Sequence, residues 1–262
     1  DTQNKRFFSA RRMNRGSLGI AGAVPSPFRV WLDNWEAAGT GNKKIVLKAR
    51  DHDGGNAGLF GLNLTLVRTK PMILQGRDGW SKKGPGPSDA SYYYSFPGMG
   101  AQGNITLGKD IYKVTGRAWF DHEWSTSALS DQTAGWDWLS LHLDKGPKKG
   151  TDIMVCVIRK KDGTSNGFGF GSVSFPDGRV EILNNGQFFL TPEAFWRSPA
   201  TGITYPAQWT ITLPGPDIRL NVKPMIPDQE HKAGFTYYEG AVMAKGADNL
   251  TSGMGYVEMT GY

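Results

Sequence analysis

The chain has 262 residues, of which 35 are Gly and 15 Pro, and it lacks the long Ala/Glu/Lys/Leu stretches that helices favour, so it reads as short strands joined by turns. Its 30 Lys and Arg outnumber its 24 Asp and Glu for a net charge of +6, yet the cations are spread out with no block of five or six, which argues against nucleic acid as a partner. Cys156 is the only cysteine, which rules out an intrachain disulfide, and no apolar stretch approaches the roughly 18 to 20 residues of a transmembrane segment.

At the start, Lys5, Arg6, Arg11, Arg12 and Arg15 form the densest basic piece, read as a solvated surface in preference to a contact for acidic headgroups. The chain opens on Asp1 where a translated protein opens on Met, so an upstream piece is expected to have been removed. Asp51-His52-Asp53-Gly54-Gly55 reads as a turn. Phe60, Leu62, Leu64 and Leu66 alternate with Gly61, Asn63, Thr65 and Val67, the pattern of a half-buried strand ending at Arg68. Gly76 to Pro87, rich in Gly, Pro and Lys, reads as a long loop, either a binding segment or a plain surface excursion.

Ile153 to Ile158 is apolar on both faces and predicts a central strand, turned by Lys160-Lys161-Asp162-Gly163. Phe168 to Phe175 and Val180 to Leu183 predict a hairpin about Pro176-Asp177-Gly178. A short helix is expected after the cap residue Thr191, within Pro192 to Trp196. Trp209, Ile211 and Leu213, then Ile218, Leu220 and Val222, alternate on either side of a Pro214-Gly215-Pro216-Asp217 connection. Such a meander predicts antiparallel sheets closed into barrels, because closure removes exposed edges.

Between Ser91 and Trp138 the composition changes, with Tyr92-Tyr93-Tyr94, Trp119, Asp121-His122-Glu123-Trp124 and Trp136-Asp137-Trp138 close together. If Arg117 to Trp124 is a strand, Trp119, Asp121 and Glu123 share one face while Phe120, His122 and Trp124 share the other. Tyr92 and Tyr94 point together and Tyr93 opposite. Two carboxylates side by side among aromatics raise the pKa of at least one, which suits a general acid. The competing reading makes Asp121 and Glu123 structural carboxylates satisfied by Tyr or Trp donors, with His122 a structural histidine and the tyrosines plain packing.

His52, His122, His142 and His231 are too scattered to suggest a metal, and no calcium loop, phosphate loop or Gly-x-Ser-x-Gly elbow is present. Neither a metal nor another cofactor is expected.

The strings FSARRMNRGSLGIAGA and PFRVWLDNW within residues 7–35, KPMILQGRDGWSKKG at 70–84, SYYYSFP at 91–97, VTGRAWFDHEWSTSAL at 114–129, GWDWLSLHLDKG at 135–146 and GYVEMTGY at 255–262 carry a resemblance. Through them the chain resembles the AttH/CrtC family of carotenoid 1,2-hydratase-like proteins, its AttH-like branch above all. The resemblance implies an all-β protein of two lipocalin-like antiparallel barrels, an N-terminal domain over 1–126 and a C-terminal domain over 127–262. It also implies that the first barrel lacks an upstream Glu-Trp-Trp-Tyr segment, expected to come from a cleaved piece or a separate chain. The implied setting is periplasmic or otherwise extracytoplasmic.

The leading expectation is a hydro-lyase or cyclase acting on a hydrophobic isoprenoid or polyene. Asp121 protonates a double bond, Glu123 tunes it, and His122 completes the candidate catalytic set. Tyr92, Tyr93, Tyr94, Trp119, Trp124, Trp136, Trp138 and Tyr238 are the candidate substrate-binding residues. The alternatives are a non-catalytic lipid or isoprenoid carrier, or accessory to an ABC transporter, and a structural subunit of a larger assembly.

Overall fold

Period-two alternation becomes strand along most of the chain in the computed structural model, which describes residues 1–41, 43–52, 58–126, 130, 132–232 and 234–262. In chain order the strands are β1 (Ala21–Pro25), β2 (Phe28–Leu32), β3 (Trp35–Thr40), β4 (Lys44–His52), β5 (Leu59–Arg68), β6 (Ile73–Leu74), β7 (Trp80–Lys82), β8 (Ala90–Leu107) and β9 (Asp110–Trp124). They continue as β10 (Thr133–Lys145), β11 (Asp152–Lys160), β12 (Phe170–Ser174), β13 (Val180–Asn184), β14 (Phe189–Arg197), β15 (Thr204–Leu213), β16 (Ile218–Pro224), β17 (Glu230–His231), β18 (Tyr237–Gly246) and β19 (Ser252–Met259). Among the described residues the one helical turn is Ser17–Gly19, and no helix is long and apolar enough to cross a membrane.

Three local expectations need correction or completion. The helix expected after Thr191 is instead the middle of β14: Pro192 has no N–H for a ladder, and the chain meets this by placing β14 at the edge of its sheet with a register shift between Pro192 and Ala194. The stretch 76–87 is not one loop, because Trp80-Ser81-Lys82 contains no breaker and pairs with Tyr92, Ser91 and Ala90 of β8. Asp51 and His52 close β4, and the rest of the turn expected at 51–55 lies outside the described residues.

Contacts divide the chain into a larger unit, Asp1–Lys5, Met72–Ser95 and Asp121–Tyr262, and a smaller one, Arg6–Pro71 and Phe96–Phe120. In the smaller unit β1 to β5 form an antiparallel meander, and β5 pairs onward with β8 from Phe60↔Leu107 to Arg68↔Met99. Arg12 ties its ends together, reaching Asp51 at 2.7 Å and Asp33 at 2.6 Å.

In the larger unit the sheet order is β13-β12-β11-β10-β19-β18-β16-β15-β14, with β17 on β18. The sheet curls on itself, since Leu139, Leu141, Ile153, Val155, Val173, Leu183, Trp209, Ile211, Leu220, Val242 and Val257 from eight of these strands share one core. Each aliphatic side chain so buried is worth roughly 1.5–3 kcal/mol. Met154, Cys156 and Ile158, on the opposite face of β11, are equally buried, so the strand apolar on both faces is indeed central. A second layer of the same unit, drawn from residues 72–95, covers that outer face: Gln75 donates from Nε2 to Ser172 Oγ at 3.1 Å, and Tyr93 packs edge-on against Phe170 at 6.0 Å.

Candidate active site

The ends of β8 and β9 that belong to the larger unit, Ser91–Ser95 and Asp121–Trp124, run antiparallel beside each other and sort their side chains by alternation. Asp121 and Glu123 lie on one face with Ser91, Tyr93 and Ser95. His122 and Trp124 lie on the other with Tyr92 and Tyr94, where Tyr92 stacks on Trp124 at 5.6 Å and the His122 Nδ1 is 3.0 Å from the Tyr94 hydroxyl.

A connected polar network occupies the first face. Ser95 Oγ donates to Asp121 Oδ1 at 2.5 Å and is itself reached by Gln75 Nε2 at 3.0 Å. Trp138 Nε1 donates to the Tyr93 hydroxyl at 3.1 Å, and that hydroxyl also hydrogen-bonds Asp121. Burial, followed by the charges of Asp121 and Glu123, pushes the Tyr93 hydroxyl well above its ordinary pKa, so it stays a donor. Glu123 accepts from Ser91 Oγ at 2.5 Å and pairs with Lys83 Nζ at 2.6 Å. Lys83 in turn sits over the rings of Phe170 and Tyr93, at 4.6 Å and 5.7 Å. Glu123 thus has a cation beside it, and Asp121 accepts from two hydroxyls.

Sequence reasoning missed Glu258. On β10, Trp136 and Trp138 point away from the core that Leu139 and Leu141 enter, and on β19 Glu258 does the same, directly across from Trp138 on one side and from Glu239 of β18 on the other. Trp136 Nε1 donates to Glu258 Oε1 at 2.9 Å, and the Tyr237 hydroxyl donates to Glu239 at 2.6 Å. Burial first, then the facing Glu239, lifts the Glu258 carboxyl from 4.5 to about 7, with Asp121 and Glu123 adding to the rise. This is a carboxyl that carries a proton near neutral pH and is felt electrostatically by the Asp121 face. The one sequence cue was Tyr256 and Glu258 alternating against Val257 and Met259, but the opposition to Glu239 arises only on strand pairing.

Several expected site residues lie elsewhere. Tyr238 is 1% exposed in the core of the larger unit, donating to Pro227 O at 2.9 Å; its neighbour Glu239 takes the outward position. Trp119 belongs to the smaller unit. Trp124 and His122 face away from Asp121, so neither ring is set to stabilise a cation formed there. Tyr92 and Trp124 are about half exposed, at 51% and 49%. Asp137, between the two tryptophans, points inward, where Arg159 Nε at 3.1 Å and the Tyr262 hydroxyl at 2.9 Å hold it as a structural carboxylate. Among the described residues no group of three or more His, Cys, Asp or Glu is placed to hold a metal.

Curled antiparallel sheets carrying an acidic site walled by aromatics define an all-β protein of lipocalin-like architecture. The chain matches the AttH-like family over residues 1–262 and belongs to it. The crystal structure of a protein assigned as AttH from Nitrosomonas europaea is similar at a TM-score of 0.78 and 33% identity, over 89% of this chain and 70% of that one. That of kievitone hydratase from Nectria haematococca shares the fold at a TM-score of 0.63 and 20% identity, over 85% of this chain and 69% of the other. Dehydratase asqC of Emericella nidulans is 24% identical over 210 residues, covering 75% of this chain and 57% of that protein, so the chain spans little more than half the length of this relative.

Proposed function

We propose that this protein is a hydro-lyase-type enzyme that removes or adds water at a carbon–carbon double bond of a hydrophobic isoprenoid or polyene, with Asp121 carrying the carbon-bound proton. The observation that carries this reading is the pairing of two carboxyl groups in different settings: Asp121 accepts from the Ser95 and Tyr93 hydroxyls, while Glu258 holds its proton up to about pH 7. Water elimination needs one acid and one base. Glu258 gives its proton to the departing hydroxyl, the C–O bond breaks, and the cation forms beside the π face of Trp138. The Asp121 carboxylate then takes the proton from the neighbouring carbon as the double bond forms.

Hydration is the same path reversed. Protonated Asp121 supplies the alkene and the Glu258 carboxylate accepts the proton of the attacking water; an internal double bond in place of water would give cyclisation. The relatives named for a dehydratase and a hydratase support this class of chemistry.

The test is to incubate the protein with isoprenoid alcohols and polyenes and to analyse bound and converted species by mass spectrometry. Asp121→Asn is expected to abolish conversion, a loss of at least about 10²-fold for a proton-transfer group, while leaving binding intact. Dehydration should fall as pH rises through about 7, when Glu258 loses its proton. Conversion that survives in the Asp121→Asn protein overturns the assignment.

A further inference from the structure

The larger unit carries a cleft of about 690 Å³, lined among others by Arg77, Trp80, Lys82, Phe168, Phe170 and Asn185. Its size is that of a small-molecule site. No Asp or Glu lines it, and among the described residues neither Arg77 nor Lys82 forms an ion pair, in contrast to Lys83, which Glu123 holds at 2.6 Å. Lys82 instead lies over the Phe168 ring at 5.3 Å. Gly76 and Gly167, at φ +69° and +85°, bring bare backbone to the rim in conformations that other residues rarely adopt.

We infer that this cleft binds a small amphipathic anion, its acidic head group held by Arg77 and Lys82 and its flat apolar body laid against Trp80 and Phe168. Two cations without carboxylate partners attract and orient an anion, and the guanidinium fork of Arg77 matches a carboxylate, sulfonate or phosphate in two bonds at once. The rings supply the apolar contact, with Trp80 37% exposed beside the Tyr92 ring it meets edge-on at 5.2 Å. The inference does not rest on the proton chemistry above, because it concerns binding alone.

Fluorescence titration of the full chain with 8-anilinonaphthalene-1-sulfonate, an aromatic anion, tests it. The anion should bind at least about tenfold more tightly than its uncharged counterpart N-phenyl-1-naphthylamine, and Arg77→Gln and Lys82→Gln should each weaken it about tenfold. The double variant Arg219→Gln/Lys245→Gln removes two positive charges, one more than either test variant, from a separate groove and should leave binding unchanged. Equal binding of the neutral probe, indifference to Arg77→Gln and Lys82→Gln, or equal weakening by the control double variant overturns the proposal. So does Arg77-dependent co-sedimentation with phosphatidylglycerol vesicles in the absence of binding to the monomeric anion, because the surface would then read lipid headgroups.

Discussion

Glu258 faces Glu239 across β18 and β19, and like charges directly opposite each other destabilise a sheet. Burial first, and then that repulsion, favours a proton on Glu258, so its carboxyl titrates at about 7 in the fold against an ordinary 4.5. Below 4.5 the folded and unfolded chains both keep the proton, and the contribution to stability is whole. Between 4.5 and about 7 the unfolded chain ionises while the folded one does not, so stability drains as pH rises and levels off above 7. At 1.36 kcal/mol per pKa unit the loss is up to about 3 kcal/mol. Glu258→Gln keeps an acceptor for Trp136 and removes the charge. We expect it to melt several degrees above the wild type at pH 8 and level with it at pH 4; a gap independent of pH in thermal melts would show that Glu258 is ionised throughout.

At the scale of the strand, the sorting of Asp121 and Glu123 from His122 and Trp124 was legible from alternation alone, because the period of two leaves no other arrangement once 117–124 is extended. The same rule placed Tyr93 opposite Tyr92 and Tyr94. What alternation cannot supply is which strand lies alongside, and so Lys83, Ser95, Gln75 and Glu258 stayed hidden: each joins the site through a neighbour distant in sequence. Tyr238 was misplaced for the same reason, its inward register being fixed by pairing with Met259. On its other side β19 lies against β10 through close approaches of backbone. A Cβ on Gly255, which pairs with Leu141 of β10, would lie 1.8 Å from the carbonyl oxygen of the neighbouring Ser140. Gly255→Ala must therefore push β19 off β10 and draw Glu258 away from Trp136. We expect a stability loss of about 2–4 kcal/mol in denaturant melts, together with a shift of tryptophan emission, whereas Gly215→Ala, which meets nothing within 4 Å, should be silent.

For the molecule as a whole, the all-β class and the meander followed from short alternating runs and abundant turn residues, while the helix after Thr191 failed because an edge strand with a bulge tolerates a proline that a central strand would not. Composition gave no warning of how unevenly the two units are packed. Leu139, Leu141, Ile153, Val155 and Val257 of the larger unit are at 0% exposure, but β1, β2 and β3 of the smaller unit contain no buried side chain. Opening a strand costs what its buried contacts contribute, so local stability should follow this difference. In native-state hydrogen exchange, amides of Ala21–Thr40 should exchange orders of magnitude faster than those of β10, β11 and β19, whose opening should approach global unfolding. Equal protection across these segments would mean that β1 to β3 draw stability from something other than their own side-chain burial. If exchange does separate them, mild denaturant should open β1 to β3 first and leave the Trp138–Tyr93–Asp121 network intact until β10 and β19 give way, which the tryptophan emission of Trp136 and Trp138 would report.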